Sequence, residues 1–329
     1  MSEKKNKDAG RINQKIPEQD GFQMAEDRIL CCDKEPHFFF QEDPVRILSV
    51  LKDAAQSGEL PDDSVKAAVQ YRYRKLRFIP PEKIRSELAP LLCGKYAAAV
   101  LDEYRDVFAC IIPELASRFD LDQRSPYHNR DVWHHTLAGL ADVPPVFTLR
   151  MTMLLHDIAK PVVFILDDNG RGRFVGHPQK GAEMAYRILR RMEYPTDMVK
   201  KIVRLVRYHD VKFKRLPEDI LRILAVFGRE GFEELLAVRH ADAAGKYEKY
   251  LTEAEQKNDE YRACADAIVA EERYFAPEDL AVGEEELKQA GFTDEFSLWY
   301  VRERLLMDAA ERKIKNEKAA LIRAAKESE

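Results

Sequence analysis

The chain has 329 residues, of which 45% are hydrophobic and 34% charged, with a formal net charge of −5. That is apolar material for a sizeable core in two or three domains, and the slight acidity excludes a chain that is basic throughout. The longest apolar runs, residues 151–155 and 161–166, fall far short of the ~20 residues a membrane-spanning helix needs, so no membrane partner is expected.

Residues 1–22 carry almost no apolar periodicity and read as a disordered, polar leader without the apolar stretch of a secretory signal. The five cysteines (Cys31, Cys32, Cys93, Cys110, Cys264) show no CxxC spacing and are odd in number, which fits a reduced, cytoplasmic protein. From Asp43 the pattern turns helical, with Val45, Ile47, Leu48, Leu51, Ala54 and Ala55 at three-to-four spacing. The acidic Glu42-Asp43-Pro44 before them suits a helix N-terminus. Further helices are predicted over residues 62–76, 81–92 and 95–112, punctuated by Pro80-Pro81, Pro113 and Pro126. Residues 23–120 thus read as one helical region. A second, 121–250, gathers the histidines in short helical segments, with a small hairpin around Asp167-Asp168-Asn169-Gly170. Residues 251–329 read as a charged helical C-terminal region, amphipathic over 297–326. The fold class is all-α.

Chemistry concentrates in His135, His156-Asp157, His177, His209 and Asp242. Imidazole nitrogen with carboxylate oxygen suits a divalent ion of borderline or hard character: Mn, Fe, Co, Ni, Mg or Zn. His156 and Asp157 are adjacent on a helix predicted over residues 150–160. They would point about 100° apart, toward one ion or toward two ions sharing the carboxylate. Five or six donor groups are too many for one ion that keeps a position open for water, which favours two ions bridged by Asp157. Taken singly, a histidine is ordinarily a satisfied core or surface side chain, and His37, His128, His134 and His240 are read that way.

The order H…HD…H…H…D resembles the HD superfamily of metal-dependent phosphohydrolases. More narrowly, residues 127–137 (YHNRDVWHHTL) look like the NRDVWEHTL segment of bacterial class II CCA-adding tRNA nucleotidyltransferases. Residues 154–161 (LLHDIAKP) and 176–182 (GHPQKGA) resemble that family's LLHDIGKP and GHxxxGA, and Tyr208-His209-Asp210 and Ala241-Asp242-Ala243 fit its later segments. In that motif the first ligand is the His directly before Thr-Leu, which selects His135 over His134. Upstream, residues 41–48 (QEDPVRIL) are similar to the family's neck helix EDPLRILRA. There the EDxxR signature, here Glu42, Asp43 and Arg46, reads the incoming base. The match continues through residues 79–88. The family's catalytic head needs a phosphate loop, a DxD pair and an RRD motif. The residues before Glu42 contain none of these, so the chain is not expected to add CCA by itself. EDxxR is then expected to serve helix capping rather than nucleotide binding by Asp43 and Arg46.

What the resemblance implies is hydrolysis of a phosphate ester on a nucleotide or an RNA end, of the 2′,3′-cyclic phosphodiesterase or phosphatase kind. Asp157 would ligate and bridge. Lys160, one turn beyond His156, would pair with phosphate or else be an exposed helix-end lysine. Arg130 would touch substrate or support the following helix. The clusters Arg187-Arg190-Arg191, Lys200-Lys201-Arg204-Arg207 and Lys212-Lys214-Arg215 offer a phosphate-binding face, against the plainer reading of solvated surface. The rival from another class is a non-catalytic tRNA-binding remnant, or a partner of a separate nucleotidyltransferase.

Overall fold

The computed structural model describes residues 29–30, 35–125, 130–271, 275 and 277–327. The expected leader, Cys31, Cys32 and residues 126–129 with His128 lie outside them. The described residues form sixteen α-helices, several 3₁₀ turns and four two-residue strands.

The first part comprises α1 (Pro36–Glu42), α2 (Arg46–Ser57), α3 (Asp63–Arg72), α4 (Pro81–Leu92), α5 (Ala97–Glu103) and α6 (Arg105–Ile111). The apolar positions predicted for α2, Ile47, Leu48, Leu51, Ala54 and Ala55, are its buried face, and the helix closes on Gly58 at φ 77°. Asp62 caps α3 by accepting from the Val65 N–H, and Pro81 opens α4 at the position where its missing N–H costs nothing. Three boundaries differ from the sequence reading. Glu42 ends α1 instead of opening α2, and its carboxylate pairs with Arg46 at 2.9 Å. The helix expected over 62–76 stops at Arg72 and tightens into a 3₁₀ turn, Tyr73–Phe78. The helix expected over 95–112 breaks at Tyr104. One strand pair went unforeseen: β1 (Ile29–Leu30) lies parallel to β2 (Leu60–Pro61).

The second part runs through α7 (Val132–Asp142), α8 (Phe147–Leu155) and α9 (Lys160–Val163) into the predicted hairpin. There β3 (Ile165–Leu166) pairs antiparallel with β4 (Gly172–Arg173). α10 (His177–Arg191), α11 (Thr196–Tyr208), α12 (Glu218–Ala244) and α13 (Glu248–Ala270) follow, then α14 (Glu284–Gln289), α15 (Glu295–Ala310) and α16 (Lys318–Lys326). α12 is bent at Gly228, whose φ of 67° is a conformation other residues adopt only under strain. α7, α8, α11 and α12 pack on one another and enclose the histidine cluster.

A single apolar core extends from Phe40 to Ala325 and does not stop at residue 120. Buried Trp133 on α7 donates its indole N–H to Asp102 on α5 at 3.0 Å. Fully buried Arg118 donates to Thr136 at 3.2 Å. The predicted basic clusters are largely answered by carboxylates. Arg191 forks onto Glu114 with both contacts at 2.8 Å, Lys201 meets Glu234 at 2.6 Å, and Arg204 pairs with Glu303. Arg207 stacks over Tyr300 at 3.7 Å, and Lys212 pairs with Asp210. No helix of the described residues is long and apolar enough to cross a membrane.

Candidate metal centre

Three of the four imidazoles are presented by one local device. His156 and His209 are the C-terminal caps of α8 and α11, and His177 is the first residue of α10. In each, ring Nδ1 lies against the carbonyl three residues earlier: 2.8 Å to Met153 O, 2.7 Å to Val206 O and 2.8 Å to Phe174 O. His135, inside α7, uses a distant carbonyl, Gly245 O at 3.0 Å. A carbonyl only accepts, so Nδ1 carries the hydrogen in all four rings and Nε2 is left with its lone pair. The approach to His135 depends on glycine, because a Cβ at Gly245 would stand 2.3 Å from Nδ1.

The helix predicted over residues 150–160 ends at Leu155. Residues 156–159 continue as a turn, with the Ile158 N–H on Leu155 O and the Lys160 N–H on Asp157 O, both at 3.1 Å. That turn places Asp157 between two pairs of rings. Its Oδ2 is 3.4 Å from His135 Nε2 and 3.1 Å from His156 Nε2. Its Oδ1 is 3.4 Å from His177 Nε2 and 3.8 Å from His209 Nε2. Within each pair the Nε2 atoms are 3.3 Å apart. Asp242 joins the first pair, its Oδ1 3.1 Å from His135 and 3.6 Å from His156. All six residues singled out in the sequence are therefore brought together, five as two triads sharing Asp157 and the sixth, Asp242, beside the first triad.

The electrostatics suit a cation. Burial holds His135 and His177 below the ordinary imidazole value and takes His209 down to about 3, with neighbouring His156 and His177 adding to the effect there. Rings in that state are neutral and able to ligate. Burial pushes Asp157 and Asp242 up. Lys160 beside Asp157 and Lys246 beside Asp242 act against it, and both carboxylates stand well below their usual range. Lys160 Nζ lies 2.6 Å from Asp157 Oδ2, yet neither buried Asp157 oxygen receives a well-directed hydrogen bond. Inward-facing lone pairs with no donor between them are a donor set for divalent metal, and the residues present fit one.

Around this set stand residues that periodicity did not announce. Lys160 is 4% exposed and not a solvated helix-end lysine; it also donates to Gln123 Oε1 at 2.8 Å. Lys246 pairs with Asp242, an i,i+4 spacing readable from the sequence. Gln123 and Arg118 come from the preceding segment, and no local pattern points to them. Arg130 contributes its carbonyl to Gln123 Nε2 at 3.2 Å. Asp43 and Arg46 are not part of the cluster. Asp43 accepts from the Val45 N–H, and Arg46 lies over Phe39 while donating to Phe39 O and Glu42. Of the histidines set aside, His134 sits between Asp102 and Asp131, which raise it to about 10. His240 faces Asp142 at 3.5 Å, and His37 meets the Tyr71 ring.

Residues 131–255 match the family profile of the HD domain. Among curated proteins, the A-adding tRNA nucleotidyltransferase of Deinococcus radiodurans is 31% identical over 240 residues, covering 69% of this chain and 54% of that one. The CC-adding tRNA nucleotidyltransferase of Thermus thermophilus is 34% identical over 146 residues, covering 42% and 33%. The multifunctional CCA protein of Ralstonia nicotianae is 28% identical over 225 residues, covering 63% and 51%. The chain thus spans about half the length, or less, of these relatives. The crystal structure of the Bacillus stearothermophilus CCA-adding enzyme with CTP aligns at a TM-score of 0.47 and 15% identity, over 91% of this chain and 65% of that one. The histidine–aspartate centre accordingly lies in an HD domain, within a chain that resembles the body and HD region of tRNA nucleotidyltransferases.

Proposed function

We propose that the protein is a metal-dependent phosphohydrolase acting in the cytoplasm on the phosphate ester of a nucleotide or an RNA end. The observation that carries this is the two-sided carboxylate of Asp157, one oxygen facing His135 and His156 and the other facing His177 and His209. Divalent ions held there supply Lewis acidity to a phosphate oxygen and a nucleophile from water at neutral pH. The chain's own residues hold and orient. Each histidine is locked in one tautomer by its carbonyl partner, and Asp242 is steadied by Lys246 beside the first pair. Lys160, buried against Asp157 and Gln123, acts here as a positioning residue that fixes the carboxylate the two triads share, not as a phosphate contact.

The relatives are named for acting on tRNA, which makes an RNA 3′ end and 2′,3′-cyclic nucleotides the first substrates to try. The test is metal content of the purified protein, followed by hydrolysis of bis-p-nitrophenyl phosphate and 2′,3′-cyclic AMP with Mn²⁺, Co²⁺ or Ni²⁺. Turnover should need added metal and vanish in the His156→Ala, Asp157→Ala double variant. Unchanged activity and metal content in that variant would refute the proposal.

A further inference from the structure

Away from the histidine cluster, residues 71–78 read Tyr-Arg-Tyr-Arg-Lys-Leu-Arg-Phe, cations interleaved with rings. The first two residues end α3 and the other six form the 3₁₀ turn. Three residues per turn align side chains at i and i+3. One of the three faces so made, Tyr73 with Leu76, is buried in the core. The other two, Arg74 with Arg77 and Lys75 with Phe78, are left outside. Tyr71 is 70% exposed, Phe78 75%, and Phe38 on the adjoining α1 67%. Only Val175 among the described large apolar side chains is as open. The His37 ring meets Tyr71 edge-on at 5.4 Å, which joins α1 to the end of α3, where the turn begins.

The charge state of this surface sets it apart. The cations of α10 and α11 mostly face carboxylates, whereas Arg74, Lys75 and Arg77 form no ion pair among the described residues. A chain of net charge −5 thus concentrates three cations without a carboxylate partner beside three exposed rings, Arg74 resting over the Tyr73 ring at 4.9 Å. An acidic peptide would satisfy the charges and leave the rings in water. A single-stranded polynucleotide offers phosphates and flat bases at alternating positions and satisfies both.

We propose that this surface binds single-stranded nucleic acid, with Arg74, Lys75 and Arg77 on phosphates and Tyr71, Phe78 and Phe38 stacking on bases. The site stands independently of the HD centre. It is tested with the full chain by fluorescence anisotropy of a labelled uridine oligonucleotide of about 12 nucleotides, and its DNA equivalent, over a salt series. The Arg74→Ala, Lys75→Ala, Arg77→Ala triple variant should bind about tenfold more weakly or worse. Its log–log salt slope should flatten by about two units, three contacts at ~0.7 each. Tyr71→Ala with Phe78→Ala should also lose about tenfold or more, with the slope unchanged and heparin binding retained. The His156→Ala, Asp157→Ala variant should bind like the parent, which separates this site from the hydrolase reading. All substituted surface positions are exposed, so thermal unfolding should match the parent. Parental RNA affinity in both surface variants, or equal binding of polyglutamate, overturns the proposal.

Discussion

Because the two oxygens of Asp157 face different histidine pairs, removing the carboxylate and removing one ring should have different consequences. Asp157→Asn is expected to empty both halves, while His177→Ala leaves His135, His156 and Asp242 in place and retains about half the metal. Metal analysis of protein purified without chelator distinguishes the two; equal losses would argue for a single ion. Gly245→Ala tests the outer support of His135. The added methyl would meet Nδ1 at 2.3 Å and backbone O of His135 at 2.9 Å, so the ring or the α12–α13 junction has to shift. Such overpacking costs about 1–3 kcal/mol, read by urea unfolding, and metal content should fall with it. The ligand residue types were legible in the sequence. Their shared tautomer was not, since it depends on carbonyls whose direction only the fold defines.

At the scale of elements, the clearest departure from the sequence reading is the end of α8. An apolar run through Leu155 looks as if it should carry the helix to Lys160. Instead the His156 imidazole occupies Met153 O, the carbonyl that the Asp157 N–H would use to continue the helix, and Pro161 has no N–H to give to Asp157 O. His209 does the same to Val206 O at the end of α11. The two ligands are therefore helix terminators. α4 was readable to the residue because its signals, a proline pair followed by apolar spacing, are local. A long-range contact supplies the pH prediction at this scale. Glu114, in the 3₁₀ turn Pro113–Arg118, grips Arg191 at the end of α10, and that pairing, set against burial that raises it, holds Glu114 below its ordinary value. A depressed carboxylate stabilises above the unfolded value and loses that contribution as pH falls through the folded one. Both partners are partly exposed, so Glu114→Gln should cost only about 0.5 kcal/mol at pH 7, and the difference from the parent should fade below about pH 4. Urea titrations at the two pH values measure it.

For the whole molecule, the core crosses residue 120 without a break, through the Trp133–Asp102 and Arg118–Thr136 hydrogen bonds. Calorimetry should accordingly show one cooperative transition over the two regions instead of two independent ones. Removing metal should lower that transition. Ions that bind the folded state alone add about 2.7 kcal/mol at a hundredfold excess over Kd, and each kcal/mol moves Tm by roughly 1–2 °C in a chain of this length. A Tm unmoved by chelator and by added Mn²⁺ would count against tight binding at the centre.

A helical fold and the set of side chains able to ligate are legible from residue order alone, because helix periodicity, proline punctuation and the imidazole–carboxylate donor set are written locally. So is the HD order of those ligands. Folding of the whole chain settles that Asp157 faces two histidine pairs, that Lys160 is buried against it, and that Gln123 from the preceding segment holds Lys160. Those outcomes depend on where separate helices cross, and crossing is settled by burial of the shared core, to which no short stretch of sequence has access.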